Sequence, residues 1–147
     1  MTEIPQFGDV VTGAEYVLRP GGYAVIFDDA GRIAVVRTPA IFALPGGGQD
    51  PGESPEAAAV REAREECELA IALGPLLGVA DEMEYFRGER KYYRKRCTFF
   101  VARAENLGGA CETGYTLHWF TPPEAIKQLG HGSQRWAVGE ALCARRS

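Results

Sequence analysis

The sequence predicts an α/β fold of the α+β type, in which helices pack on a mixed β-sheet. Strand-like patterns stand on both sides of one long helical pattern, at 55–67. Strands and helices do not alternate regularly, which disfavours an all-parallel sheet. In 97–102 both alternating sets of residues are mostly apolar, so both faces of that strand should be covered.

The first half of the chain shows short strands separated by turn signals. Apolar runs predict strands at 15–18, 23–27, 32–37 and 41–44. The segment Arg19-Pro20-Gly21-Gly22 is expected to stop the first strand. Asp28-Asp29-Ala30-Gly31 predicts a hairpin turn between the next two. Residues 1–13 are expected to form a lead-in segment.

A helix is predicted from the Ser54 cap to Cys67. Ser54 suits an N-cap, Pro55 the first helical position and Glu56 the first turn. The segment that follows has strong helix formers and no internal Gly or Pro. One stripe of this helix should face the core, and it consists of Ala59, Val60, Ala63 and Cys67.

The second half of the chain predicts three more strands and two helices. The strands are expected at 76–85, 92–104 and 116–120. Pro122-Pro123-Glu124 opens a helix through Leu129, and Ser133 is expected to cap a last helix. At 147 residues, the chain suits a single domain, 1–147.

Charge is distributed unevenly along the chain. The formal net charge of −4 gives no indication of nucleic-acid binding. Residues 53–68 hold six glutamates and two arginines, whereas 87–96 hold six cations and one Glu. This contrast suits the binding of a polyanionic small molecule together with a cation. A solvated hairpin at 87–96 is the competing interpretation.

The cysteines and the hydropathy indicate a cytoplasmic protein. Cys67, Cys97, Cys111 and Cys143 fit no C-x-x-C pattern, and no feature of the sequence points to disulfides. The stretch 1–10 lacks a basic start and an apolar run, so no signal peptide is expected. No apolar segment reaches transmembrane length, so no membrane partner is expected either.

Three carboxylates lie on one face of the predicted helix. Glu62, Glu65 and Glu66 stand at positions i, i+3 and i+4 and repel one another. A divalent cation converts this repulsion into binding, and oxygen ligands at this density suit Mg²⁺ or Mn²⁺. A solvated acidic face is the alternative interpretation.

The spacing around this helix resembles the Nudix box, G-x5-E-x7-R-E-U-x-E-E-x-G-U, where U is apolar. Eight of its nine specified positions match, from Gly47 through Glu53 and Arg61 to Leu69. Glu68 stands where the family usually has Gly, so the helix is expected to end differently. The resemblance implies an α/β/α sandwich that hydrolyses a nucleoside diphosphate linked to another group, X.

The resemblance also implies site roles. Glu62, Glu65 and Glu66 match metal ligands, Glu53 matches the loop acid, and Arg61 matches the arginine that orients the loop through ion pairing. The catalytic set is therefore Glu62, Glu65, Arg61 and Glu53. A further ligand in the family often precedes a Trp-Phe strand, which favours Glu112 ahead of Glu82 and Glu84.

The expected cofactor is Mg²⁺, for which Mn²⁺ can substitute. Such a cation would neutralise phosphate charge and lower the pKa of a water molecule, which attacks phosphorus. Glu62, Glu65 or an acid outside the box accepts the proton of that water.

Expected substrate contacts are Gly47, Gly48, Arg94 and Tyr85. Tyr85 lies near a position where some diadenosine-polyphosphate hydrolases of the family carry Tyr. Several other aromatic residues could stack on a base or simply pack, namely Phe42, Phe86, Tyr92 and Tyr93. Nucleoside triphosphates, dinucleoside polyphosphates, ADP-ribose and nucleotide sugars all stay open as substrates.

Other function classes have less support in the sequence. A P-loop needs Lys where Glu53 stands, so a P-loop kinase is excluded. A Nudix-fold module that binds a nucleotide without hydrolysing it is the main alternative to an enzyme. A purely structural domain would leave the box unexplained. A homodimer is among the assemblies that the resemblance implies.

Overall fold

The computed structural model describes residues 3–145, so the ends of the predicted domain 1–147 lie outside the described part. The strands are β1 (Gln6–Phe7), β2 (Tyr16–Phe27), β3 (Ile33–Arg37), β4 (Phe42–Ala43), β5 (Gly46–Gly48), β6 (Ile71–Phe86), β7 (Lys91–Ala104) and β8 (Thr116–Phe120). The helices are α1 (Pro55–Cys67), α2 (Pro122–Gln128) and α3 (Gly132–Arg145).

The eight strands form one mixed sheet, as predicted. Its main order is β1-β6-β7-β2-β3-β4, with β5 paired to β2 and β8 to β3. The long strand β7 is antiparallel to β6 and parallel to β2. The parallel pairing is continuous from Tyr16 opposite Tyr92 to Phe27 opposite Arg103.

Helices cover both faces of the sheet, which confirms the predicted three-layer sandwich. On one face Ala63 of α1 packs with Ala24 and Ile26 of β2. On the other face Val25 and Phe27 of β2 pack with residues of α2 and α3, including Ala125, Leu129, Ala137 and Val138. Successive strand side chains point to opposite faces, so an uninterrupted apolar run serves both layers.

The expected stop at Arg19-Pro20-Gly21-Gly22 is wrong, because β2 runs straight through it. Gly21 and Gly22 pair with β5 on one side and β7 on the other, and this double pairing outweighs the turn preference of the residues. Gly22 also permits a close approach of α1. A Cβ atom at Gly22 would lie 1.9 Å from the carbonyl oxygen of Pro55.

Three further elements differ from the prediction. Residues 6–7 of the lead-in segment form β1, parallel to β6. Strand β6 begins at Ile71, and irregular pairing near Leu76 hides its alternation. Helix α3 begins at Gly132, with Ser133 buried in its first turn instead of capping it. The Ser133 amide donates to Glu82 Oε1 at 3.0 Å.

The hairpin turn between β2 and β3 is confirmed. Asp28 Oδ1 accepts hydrogen bonds from the Ala30 and Arg32 amides, at 3.0 and 2.8 Å. Between residues 3 and 145 no helix is long and apolar enough to cross a membrane.

Candidate active site

Helix α1 carries the acidic cluster, and both of its ends are defined by local contacts. Ser54 Oγ accepts the Ala57 amide at 3.1 Å, as the predicted cap requires. At the other end Glu68 has φ 50° and ψ 33°, the left-handed conformation. The expectation that the helix ends differently is therefore wrong. Glu68 adopts the conformation for which Gly is preferred, and its amide bonds back to Ala63 and Arg64.

Arg61 ties α1 to the loop that precedes it. Its Nε and Nη2 donate to Glu53 Oε2 and Oε1 at 2.8 and 2.9 Å, and Nη2 also donates to the Gly48 carbonyl at 3.0 Å. The hydrogen bonds from Arg61 lower the pKa of Glu53 to about 2, and the same pairing raises the pKa of Arg61. Both groups are therefore charged at neutral pH.

Strand β5 passes directly over two carboxylates of the helix. The Gly46 amide donates to Glu66 Oε1 at 3.0 Å. A Cβ atom at Gly47 would lie 2.7 Å from the carboxyl carbon of Glu62, so only Gly fits without displacing that carboxylate. The glycines thus bring the backbone of the loop to the acids of the helix.

A third carboxylate reaches the same cleft from the loop before β8. The Glu112 amide donates to the Glu66 carbonyl at 2.7 Å, which holds this loop at the end of α1. Glu62, Glu66 and Glu112 all line one cleft. The structure therefore brings together three of the four predicted metal ligands.

The electrostatics of these carboxylates suit a cation. Burial raises the pKa of Glu66 to about 8, and the neighbouring Glu62 and Glu112 add to that rise. Burial also raises the pKa of Glu62. Carboxyl groups in this state gain from a divalent cation, which removes both the mutual repulsion and the cost of their charge.

Glu65 is placed differently from the other predicted ligands. Its side chain is 58% exposed and its Oε2 accepts from Arg61 Nη1 at 3.0 Å. Glu65 does not line the cleft. Across residues 3–145 the side chains of His, Cys, Asp and Glu form no group of three that could hold a metal ion as they stand.

The cleft is also lined by cations and an aromatic ring, namely Arg19, Lys95 and Phe86. Arg19 lies over the Phe86 and Tyr93 rings, with its Cζ 5.9 and 5.0 Å from their centroids. Lys95 Nζ lies 5.8 Å from the Phe86 centroid and 3.3 Å from Glu84 Oε2. Burial opposes the charged form of Lys95, but nearby Tyr23 and Glu84 keep its pKa above the usual value.

Two predicted substrate contacts lie elsewhere. Arg94 Nη1 donates to Asp81 Oδ2 at 3.0 Å and to Gln6 Oε1 at 3.1 Å. Tyr85 packs on Tyr92, with ring centroids 4.7 Å apart. Neither Arg94 nor Tyr85 lines the cleft, which argues against both as substrate contacts. Gly47 and Gly48, the other two, do line it.

The alternative ligands Glu82 and Glu84 belong to a second polar group. Glu82 is buried, and its Oε2 lies 3.9 Å from His131 Nδ1. Glu84 Oε2 lies 3.7 Å from His131 Nε2. Burial and Lys95 lower the pKa of His131, so its imidazole is neutral at neutral pH. Of this group, Glu84 and His131 line the cleft together with Lys95, whereas Glu82 does not.

Sequence reasoning missed Arg19 and Lys95 as residues of the cleft. Lys95 belongs to the basic stretch 87–96, in which its neighbour Arg94 is the predicted substrate contact. Adjacent residues of a strand point to opposite faces, so the choice between them depends on the register. Glu84 shares the face of Lys95, because it pairs with Tyr93, two residues before Lys95, and its Oε2 lies 3.3 Å from Lys95 Nζ. The alternation of Glu84 with Tyr85 along β6 is the sequence signal that separates the two faces.

Comparison with known proteins identifies the relatives of this fold. The sequence matches the NUDIX domain over residues 17–140. The chain belongs to the Nudix family. It is 34% identical over 106 residues to diphosphoinositol polyphosphate phosphohydrolase 3-alpha of Mus musculus, a match that covers 69% of the chain and 60% of the relative.

A second diphosphoinositol polyphosphate phosphohydrolase gives a similar match. Diphosphoinositol polyphosphate phosphohydrolase 2 of Homo sapiens is 34% identical over 103 residues, covering 69% of the chain and 54% of the relative. The chain thus spans little more than half the length of the curated relatives that it matches.

Solved structures share the Nudix fold of the chain. The MutT protein of Methanosarcina mazei Go1 superposes with a TM-score of 0.71 at 16% identity, covering 92% of this chain and 100% of that one. A C. elegans Ap4A hydrolase superposes with a TM-score of 0.71 at 19% identity, covering 87% of this chain and 98% of that one.

Proposed function

We propose that this Nudix chain uses Mg²⁺, or Mn²⁺ in its place, to hydrolyse a phosphoanhydride bond in a small polyphosphorylated molecule. The observation that carries the proposal is the cleft itself, which is lined by carboxylates, by the cations Arg19 and Lys95 and by the Phe86 ring. The carboxylates suit a cation bound to a diphosphate. The cations suit further phosphates of the same molecule.

The proposed cation ligands are Glu62, Glu66 and Glu112, with Glu65 joining them when its carboxylate turns away from Arg61. The bound cation would neutralise charge on the diphosphate oxygens and make a water molecule more acidic. Glu62 is the proposed proton acceptor for that water. Its Oε1 is held by Arg61 Nη1 at 2.9 Å and its pKa is raised by burial, which moves a general base towards neutral pH.

Arg61 and Glu53 hold the glycine-rich loop in place against α1. Arg61 contacts Glu53, Gly48 and Glu62 at the same time, so it fixes the loop against the carboxylate that receives the proton. Because the loop is fixed in this way, it needs little reorganisation when the substrate binds.

The names of the relatives are consistent with a polyphosphorylated substrate. The curated relatives are named for diphosphoinositol polyphosphates and one structural neighbour for Ap4A. Both molecules carry a phosphoanhydride together with additional phosphates. A nucleotide-like substrate, a cytoplasmic location and a homodimer stay predictions.

A substrate panel tests the proposal. The purified chain is incubated with Mg²⁺ or Mn²⁺ and an inositol pyrophosphate, a dinucleoside polyphosphate, a nucleoside triphosphate, ADP-ribose or a nucleotide sugar. Products are separated by ion-exchange chromatography, and ¹⁸O-labelled water locates the attacked phosphorus. We expect metal-dependent cleavage, fastest with the most phosphorylated compounds.

Variants separate catalysis from folding in this assay. Glu62→Gln and Glu65→Gln should each lower turnover by about 100-fold while the thermal midpoint barely changes. Glu56→Gln, on the same helix but outside the cluster, should keep wild-type turnover. Tight binding by calorimetry with no product from any compound would instead favour the non-hydrolysing binding module.

A further inference from the structure

Two cysteines that are distant in sequence meet beside the acidic cluster. Cys67 is the last residue of α1, and Cys111 lies in the loop that carries Glu112. Their Sγ atoms are 2.7 Å apart, although both are thiols. A disulfide bond measures about 2.05 Å, so the two sulfurs are close to bonding distance.

Backbone contacts on both sides of Cys111 fix this proximity. The Gly109 amide donates to the Cys67 carbonyl at 2.8 Å, and the Glu112 amide donates to the Glu66 carbonyl at 2.7 Å. The two cysteines therefore approach each other because the main chain of the loop is bonded to the end of α1.

The exposure of the two sulfurs differs in a way that suits sequential reaction. Cys67 is buried at 1% exposure, whereas Cys111 is partly exposed. A small oxidant in solution can therefore reach Cys111 first. Cys67 is placed to resolve the product without contact with solvent.

We propose that Cys67 and Cys111 are a redox modification site, at which a reversible disulfide fastens the Glu112 loop to the end of α1. The oxidant is a low-molecular-weight disulfide, RSSR. The Cys111 thiolate attacks one sulfur of RSSR, which forms Cys111–S–S–R and releases RS⁻. Cys67 then loses its proton, and its thiolate attacks the Cys111 sulfur and displaces the second RS⁻. Two protein thiols are oxidised, and RSSR is reduced to two RSH.

The linkage preserves the positions of the neighbouring acids. The sulfurs need to move by well under 1 Å, and the bonds made by the Gly109 and Glu112 amides lie outside the new bond. Oxidation should therefore order the loop without removing Glu112 from the cleft. Any effect of the ordered loop on metal binding rests on the proposed function, whereas the formation of the disulfide does not.

Peptide mapping under non-reducing conditions tests the linkage directly. The full chain with Cys143→Ser, which removes the exposed thiol of α3, is incubated with glutathione disulfide, quenched by alkylation and digested. We expect one linked pair of peptides that contains Cys67 and Cys111. A stable glutathione adduct at Cys111 without closure, or linkage only in denaturant, would overturn the proposal.

Loop order gives a second readout that does not depend on activity. Hydrogen exchange at the Gly109 and Glu112 amides should slow by at least about 10-fold on oxidation, and the thermal midpoint should rise by about 5–10 °C. Adding Cys111→Ser to the same background should abolish both effects. A disulfide that forms but leaves hydrogen exchange at these amides unchanged would refute the proposal that it fastens the loop. A chain that forms the linkage on oxidation but is inactive on every substrate in its reduced form would refute the proposed function instead.

Discussion

Arg61 holds Glu53 through two hydrogen bonds of 2.8 and 2.9 Å, and the same guanidinium reaches the Glu62 carboxylate at 2.9 Å. One side chain thus connects the loop acid with an acid of the cleft. Lys cannot reproduce this contact, because a single ammonium group lacks the planar fork of donors.

Arg61→Lys should therefore lower kcat by about 10–100-fold without a comparable loss of stability. Steady-state assays with the best compound of the panel measure the first effect, and thermal unfolding measures the second. Arg64→Lys is the matched control, since Arg64 is exposed on the same helix. Equal activity of the two variants would remove the positioning role of Arg61.

Glu66 should make the metal-free protein less stable as the pH rises. Burial beside Glu62 and Glu112 raises its pKa from 4.5 to about 8 in the folded chain. Between these values the folded chain keeps a proton that the unfolded chain has lost. The free energy of unfolding therefore falls with increasing pH, and the loss is complete above about pH 8.

Glu66→Gln should flatten this dependence by roughly 1–3 kcal/mol between pH 5 and pH 8. Thermal unfolding in a chelating buffer measures it. The pKa of His131 is lowered by burial and contributes with the opposite sign, but His131 is common to both proteins. Parallel stability curves for the two proteins would contradict the assignment to Glu66.

Arg19 should select for phosphates beyond the cleaved bond. Arg19→Met should lower kcat/KM by about 10-fold for a compound with additional phosphates, but only about 2-fold for ADP-ribose, which has none. Arg94→Met is the control, because Arg94 bonds Asp81 outside the cleft. A uniform loss across the panel would show that Arg19 does not discriminate.

Gly22 should tolerate no side chain. A Cβ atom would lie 1.9 Å from the Pro55 carbonyl oxygen, so Gly22→Ala must push α1 away from β2. We expect a loss of about 2–4 kcal/mol in denaturant unfolding. At Gly139 in α3 a Cβ atom meets nothing within 4 Å, and Gly139→Ala should be neutral or stabilising by up to about 1 kcal/mol. Equal effects at the two positions would contradict this reading.

Replacing Glu68 with Gly, the residue that the Nudix box specifies, should increase the stability of the protein. Glu68 has φ 50°, which costs about 1 kcal/mol for a residue with a side chain. Glu68→Gly should recover that amount and raise the thermal midpoint by about 3 °C. Glu68→Ala separates conformation from the loss of charge, because Ala keeps the strain. A similar rise for Ala would attribute the gain to charge.

Much of the fold could be predicted from local signals. The Ser54-Pro55 start, the apolar run of β2 and the turn at Asp28 are each decided by neighbouring residues. The expected stop at Pro20 is wrong because β5 and β7 bond the backbone of this segment from both sides. The sequence suggests a cap at Ser133 because its buried partner, Glu82, is distant in the sequence.

The site could be predicted only where its spacing is fixed by one helix. Glu62 and Glu66 follow from the helical period, and Arg61, which bonds Glu62, follows from the Nudix box. Lys95 and Arg94 differ only in the face of β7 on which they lie, and that depends on the register with β6. The meeting of Cys67 with Cys111 depends on a loop path that no local pattern encodes.

The long parallel pairing of β2 with β7 has a consequence for synthesis on the ribosome. Residues 16–27 find their partners only at 92–103, so the acidic helix is made well before the strand that supports its sheet. In a nascent chain that ends near Leu69, Ile26 and the residues that later pack against Phe99 are still exposed to solvent. Such late closure of a strand pair slows folding and prolongs the exposure of apolar surface.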